Sequence, residues 1–247
     1  MKIALVSDIH EDVVQLKKAL RIIEKKKCDE VVCLGDILGY SSLNYDFSTT
    51  KNASECIQLV KSHCSNVILG NHDLFVIKRI PKYRADFNYT KNWYQLNIDE
   101  RVQLAKEKLW DYSFDKKPNL SDTDLEYLNS LNEVEVVDDG NEKILFTHFI
   151  YPNISGSATS YPKSKADFTE HFNFMNEQEC KTSFFGHGHY NGALITNKNK
   201  MRIRNFGVFE LKENINCISV PCIVSGKQKN GLLIYDHKNR QIETIKL

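Results

Sequence analysis

Residues 2–6 (KIALV) form an apolar run of strand length, closed by the polar pair Ser7-Asp8. Asp12 then precedes apolar positions at Val13, Leu16, Leu20 and Ile23, a helical spacing with a capping residue at its head. The basic run Lys25-Lys26-Lys27 suits the end of that helix, where the backbone dipole is negative. Residues 30–34 (EVVCL) predict a second strand, closed by Gly35-Asp36, and residues 53–63 a second helix. Residues 66–69 (NVIL) predict a third strand, closed by Gly70-Asn71. Strands alternating with helices imply right-handed βαβ units and a largely parallel sheet.

The pattern changes over residues 74–132, where no clear strand can be read. Trp93, Leu96, Val102, Leu104, Leu109 and Trp110 predict a helix near 91–110, and a second is read near 121–131. This stretch reads as a helical insertion within a single 1–247 domain, either an ordinary packed helix pair or a cap facing a substrate. Strands return at 134–137 and 143–147, followed by a Pro- and Ser-containing loop over 149–164. A helix near 165–178 leads to a strand at 182–185. The remainder reads as β at 192–197, 201–209, 217–224, 231–236 and 241–246. Asn230-Gly231 and residues 237–239 are expected hairpin turns.

Composition narrows the class without naming a chemistry. The 247 residues are 41% hydrophobic and 26% charged, ordinary for a globular chain. Lys and Arg number 33 against 32 Asp and Glu, so the net charge of +1 gives no global pull towards nucleic acid or membrane. The seven cysteines are odd in number and form no CxxC pair, which reads as free thiols in a reducing compartment. The first apolar run is too short for a secretory leader, and no run approaches a membrane span. A cytoplasmic location is expected.

The polar residues that follow the strands carry the chemistry. Asp8 and His10 follow the first strand, Asp36 the second, and Asn71, His72 and Asp73 the third. His148 follows the strand at 143–147, and His187 and His189 follow the strand at 182–185. Loops beyond strand C-termini converge in an α/β sheet, so residues spread over 180 positions would meet at one edge. Such a cluster offers carboxylate, amide and imidazole but no thiolate, which suits Mn, Fe or Zn in a non-structural site. Seven candidate ligands exceed what one tetrahedral ion needs and suit two ions sharing a carboxylate, a device for attack on phosphate esters. His63, His171 and His237 lie outside these groups and read as surface residues.

Asp8-Ile-His10, Gly35-Asp36, Gly70-Asn71-His72-Asp73, Thr147-His148 and Gly186-His187-Gly188-His189, in that order, resemble the signature blocks of the calcineurin-like metallophosphoesterases. The resemblance covers residues 1–73 and about 143–236. It implies a four-layer α/β/β/α sandwich with metals at the sheet edges. It further implies that Asp8, His10 and His189 hold one ion, that Asn71, His148 and His187 hold a second, and that Asp36 bridges them. Attack would come from a hydroxide held between the ions. His72 would protonate the leaving oxygen, and Asp73 would orient or charge-stabilise that imidazole. Mn is the favoured metal, with Fe or Zn as alternatives.

The substrate is less legible. The residues after Asp36 lack the Asp-Arg of the protein phosphatase branch, and the run Asp36-Ile-Leu-Gly39-Tyr40 looks more like the small bacterial and archaeal phosphoesterases. Two segments depart from those relatives: 220–226 (VPCIVSG), and the bulky residues 149–152 after His148. Lys227 and Lys229, or Arg79 and Arg84, could contact phosphate, though solvated surface is the plainer reading. Trp93, Tyr94, Trp110 and Tyr112 could stack a base or simply pack a core. The expected activity is hydrolysis of a small phosphodiester or phosphomonoester, with long nucleic acid not expected on charge grounds. The alternatives are a silent scaffold on the same fold, as the retromer scaffold subunit is thought to be, or a nuclease of short oligonucleotides. The sequence leaves oligomeric state open.

Overall fold

A computed structural model describes residues 1–138, 140, 142–212 and 215–247. The strands are β1 (Lys2–Val6), β2 (Glu30–Cys33), β3 (Asn66–Val67), β4 (Val134–Asp138), β5 (Lys143–Thr147) and β6 (Cys180–Phe185). They continue with β7 (Ala193–Thr196), β8 (Met201–Arg204), β9 (Gly207–Glu210), β10 (Asn216–Ser219), β11 (Gly231–Asp236) and β12 (Gln241–Lys246). The helices are α1 (Val13–Lys26), α2 (Ala53–His63), α3 (Asn71–Val76), α4 (Ile98–Ala105), α5 (Asp122–Ser130) and α6 (Thr169–Glu177). Among the described residues no helix is long and apolar enough to cross a membrane.

The strands form two six-stranded sheets, ordered β3-β2-β1-β11-β12-β9 and β4-β5-β6-β10-β7-β8. Both are mixed, which corrects the largely parallel expectation. Parallel pairing holds for β1-β2, β2-β3, β5-β6 and β6-β10, where helices or long crossovers intervene. The C-terminal strands return through short turns, and a hairpin connection forces antiparallel pairing. The turn expected near residues 237–239 is such a hairpin, joining β11 to β12. Asn230-Gly231 instead opens β11, because β10 lies in the other sheet.

Strand alternation builds the four layers. Ile3 and Leu5 of β1 join Val32, Leu233, Phe146, Phe184 and Ile218 in a core between the two sheets. Ala4 and Val6 point the other way, onto Leu16 and Ala19 of α1 and Ile57 and Val60 of α2. Leu145 and Phe185 likewise turn away from the inter-sheet core, onto Phe172 and Met175 of α6. The result is the expected α/β/β/α sandwich. Each buried Leu, Ile or Phe contributes roughly 1.5–3 kcal/mol to holding it.

Several boundaries moved. The run 201–209 is two strands in different sheets, split at residues 205–206. The run 217–224 leaves its sheet after Ser219, since Pro221 has no N–H for a ladder. It then pairs across to the first sheet, where Ile223 and Val224 donate to the carbonyls of Ser7 and Asp8 at 2.8 and 3.0 Å. The helix near 91–110 shrinks to a 3-10 turn at Trp93–Gln95 and α4, which starts at a capping box between Asn97 and Glu100. Residues beyond α4 are drawn off into cross-chain bonds, Trp110 N–H to Ser157 O and Lys116 N–H to Tyr40 O. The helix near 165–178 opens as a 3-10 turn and becomes α6. His171, expected on the surface, is fully buried on α6 and bonded to Ser183 Oγ at 2.9 Å. His63 is exposed as expected, and His237 is half-buried with Glu142 at 3.5 Å.

Candidate metal centre

The parallel strands of the two sheets end at a common edge, and the loops beyond them bond to one another. Asp8 N–H and His10 N–H donate to the carbonyls of Gly35 and Asp36, both at 3.0 Å, and Gly186 N–H donates to His148 O at 2.9 Å. These bonds bring Asp8, His10, Asp36, Asn71, His72, His148, His187 and His189 to one place. The backbone is strained there. Asp8, His10, Asp36, His187 and His189 have φ of 53°, 46°, 52°, 60° and 45°, a left-handed region that non-glycine residues avoid. Strain of this kind persists only where surrounding bonds fix it, and it gathers at functional sites.

Side-chain geometry sorts the residues into groups. Asp8, His10 and His189 present one donor atom each within 4.8 Å of one another, and Asp36, His148 and His187 do the same. His10 Nε2 lies 3.3 Å from His189 Nε2, and His189 Nε2 lies 3.2 Å from Asp8 Oδ1. One oxygen faces both groups: Asp36 Oδ2 is 3.1 Å from His148 Nε2 and 3.9 Å from His10 Nε2. His72 also falls within reach of His10 and Asp36. Its Nδ1, however, is committed to Asp115 Oδ2 at 2.6 Å.

Backbone carbonyls fix the imidazoles. His148 Nδ1 donates to Leu34 O at 2.6 Å, and His10 Nδ1 donates to Gly39 O at 3.1 Å. Each bond turns Nε2 towards the centre, the nitrogen through which such a histidine would bind a metal. Asn71 Oδ1 is buried with no hydrogen-bond partner, and the buried His148 Nε2 faces Asp36 Oδ2 at 3.1 Å. Asn71 spends its amide donor on Tyr112 Oη at 3.1 Å, which turns the carbonyl oxygen free. Orphaned buried acceptors cost free energy unless something binds them. A cluster of hard oxygen and imidazole ligands with such an orphan fits divalent cations. These residues could hold them.

The electrostatics agree. Burial would push Asp8 and Asp36 up, but neighbouring imidazoles, His189 for the first and His148 for the second, hold both carboxyls well below the usual range. Burial opposes charge on His148, yet Asp36 and Asp8 raise it to about 9. The two buried carboxylates thus call for positive charge between them. Burial also opposes charge on His72, and the carboxylates of Asp36 and Asp115 outweigh it, raising the imidazole to about 9. Burial and the like charge of Asp36 push Asp73 up to about 7.

Asp73 does not touch the His72 ring. Its two oxygens accept from Leu38 N–H and Gly70 N–H, both at 3.0 Å, tying the second and third loops together. The carboxylate on His72 is Asp115, which the sequence did not single out because it sits in a loop with no periodicity or motif. Tyr112 was named as an aromatic, and its bond to Asn71 was not foreseen. Tyr161 was also missed; its ring stacks on His187 at 5.4 Å and its hydroxyl lies 3.2 Å from Nε2. Phe149, one of the bulky residues after His148, packs 4.6 Å from His187. Cys222, Val224, Gly226 and Lys227 line the hollow of about 260 Å³ over the centre, so segment 220–226 does reach the site mouth. Lys229 bonds through its backbone to Asn191, and Arg79 and Arg84 are occupied by backbone carbonyls. All seven cysteines are free thiols.

The family model of the calcineurin-like phosphoesterases matches residues 1–191. An uncharacterized protein of Methanocaldococcus jannaschii is 24% identical over 256 residues, spanning 99% of this chain and 86% of its own length. Among solved structures the chain is similar to a metallophosphoesterase from Sphaerobacter thermophilus, with a TM-score of 0.67 and 19% identity over 100% of this chain and 88% of that one. It is also similar to a hypothetical protein from Pyrococcus horikoshii, with a TM-score of 0.63 and 16% identity over 100% of this chain and 87% of the other. These two structural likenesses are of fold.

Proposed function

The chain belongs to the calcineurin-like phosphoesterase family, and from that premise we propose that it is a phosphoesterase whose centre holds two divalent ions. Asp8, His10 and His189 would hold one ion. Asn71, His148 and His187 would hold the other, and Asp36 would bridge them. The observation that carries this reading is the buried, unpartnered Asn71 Oδ1 beside two carboxylate-imidazole groups whose buried His148 Nε2 faces only carboxylate oxygens. When bound, the ions supply Lewis acidity, polarising the phosphoester and making water a nucleophile at neutral pH. The oxygen and imidazole ligands favour Mn, with Fe or Zn as alternatives.

The chain's own residues would do the rest. His72 carries a proton that the leaving oxygen needs, and Asp115 holds its ring through Nδ1. A positioned general acid of this kind contributes about 10²–10⁴-fold. Asp73 bears on catalysis through the backbone, by fixing the loops that carry Leu38 and His72. The substrate is a small phosphodiester or phosphomonoester of nucleotide type. The net charge of +1 weighs against tracking along a long nucleic acid. Residues 1–247 act as one domain, and seven free thiols support a cytoplasmic setting.

The test is hydrolysis of bis-p-nitrophenyl phosphate beside p-nitrophenyl phosphate by metal-stripped protein refilled with Mn²⁺. Turnover that requires the metal supports the reading, and the preferred ester assigns diesterase or monoesterase. Protein that binds Mn²⁺ and turns over neither ester would be a scaffold on this fold.

A further inference from the structure

A cavity of about 450 Å³ lies within segment 74–132. Asn71 lines it, and so does Trp110, which also lines the hollow over His10, Asp36 and His72. The two spaces therefore meet at one indole. A molecule with its phosphate among the imidazoles has this cavity as its neighbour. The volume is that of a small-ligand site.

Tyr89, Trp93, Tyr94 and Trp110 line its walls. Phe75 stacks on Tyr112 with ring centroids 4.3 Å apart and planes at 16°. The Arg101 guanidinium lies 5.3 Å from the Phe75 ring and 5.7 Å from Tyr94. Those ring contacts hold the cation but do not satisfy its N–H groups. Arg101 Nε is buried and has no hydrogen-bond partner. A buried donor left unpaired is costly, so a ligand that brings an acceptor gains more than one that does not.

Two demands then fall on one occupant: a planar face for stacking and an acceptor on its edge. An alkyl chain leaves Arg101 unpaired, and a bare sugar offers no face. A nucleobase meets both, with a π-face on every base and ring or carbonyl acceptors on its rim. We propose that this cavity binds the base of the substrate, so that the ester hydrolysed at the centre is a nucleotide ester. The phosphate half of that statement rests on the phosphoesterase reading; the base half does not.

The protein contains two tryptophans, Trp93 and Trp110, and both line the cavity, so intrinsic fluorescence reports on it directly. The experiment titrates Mn²⁺-loaded protein with adenosine, and with ribose as control. Saturable quenching by adenosine and none by ribose is expected. Arg101→Met removes the donor, and Val102→Phe on the exposed side of α4 fills the cavity without adding an indole. Each should weaken adenosine binding about ten-fold or more, within the range that base stacking supplies. Both should still hydrolyse bis-p-nitrophenyl phosphate and keep the parent melting temperature. Absent quenching, or quenching unchanged in both variants while hydrolysis persists, would overturn the base site and leave the phosphoesterase reading intact. Adenosine binding without any hydrolysis would overturn the nucleotide-ester assignment and the phosphoesterase reading together.

Discussion

The proposed ligand His148 is oriented by a backbone carbonyl. The bond to Leu34 O sets its tautomer, and full burial of the ring leaves Nε2 facing only the carboxylates. Asn71 is oriented in the same way by Tyr112. Replacing Asn71 by Ala should lower Mn²⁺-dependent hydrolysis by about 100-fold or more, beyond what losing an outer partner costs. Its melting temperature without metal should stay near the parent's, checked by circular dichroism. Asp115 acts one residue further out. Asp115→Asn should slow esters with poor leaving groups far more than p-nitrophenyl esters, which depart without a proton. Equal losses on both would assign Asp115 a merely structural role. The motif residues were legible because each block is a short polar cluster after an apolar strand. Asp115 was not legible, because nothing local distinguishes it from another loop aspartate such as Asp111.

At the scale of elements, the strand-to-loop turns do the positioning. Gly39 has φ of 97°, and a Cβ there would overlap the His72 ring. Gly39→Ala should therefore lower kcat by displacing His72, with a smaller effect on KM. Helix α6 carries a different sensitivity. His171 accepts from Tyr151 N–H at 2.9 Å and faces Ser183 at 2.9 Å. Burial pushes its pKa down from 6.5 to about 3. Between those pH values the unfolded chain binds a proton that the folded chain refuses. Stability from this residue is thus complete above pH 6.5 and falls as the pH drops towards 3, by up to about 1.4 kcal/mol per unit. Denaturant midpoints at pH 7 and pH 5 should differ more in the parent than in His171→Gln. The burial of His171 was not legible, since one polar residue on an apolar helix face reads as exposed until the packed sheet is known. The ends of α4 were equally hidden. Of the apolar residues that suggested a helix, only Val102 and Leu104 lie in α4, both exposed, and the Asn97 cap and the bond from Trp110 N–H to Ser157 O bound it instead.

The whole molecule is two sheets whose parallel strands end at one edge, so a metal centre there is built from both halves of the chain. Asp8 and Asp36 come from the first sheet, and His148 and His187 from the second. Ions bound between them would tie the layers together. Mn²⁺ at about 100 times its Kd should add about 2.7 kcal/mol to stability, and a chelator should remove it, read as a shift in melting temperature. Strand and helix alternation made the first half of the fold legible, and the four-layer sandwich followed from the resemblance of the motif blocks. The mixed sheets and the split of β8 from β9 were not, because strand partners are chosen across long sequence distances. The proposed chemistry needs two ions acting as one centre. The direct measurement is a Mn²⁺ titration of metal-stripped protein, following hydrolysis of bis-p-nitrophenyl phosphate at protein concentrations well above Kd. Activity should rise from near zero and level off at two equivalents per chain. Turnover that survives stripping, or a plateau at a single equivalent, would contradict it.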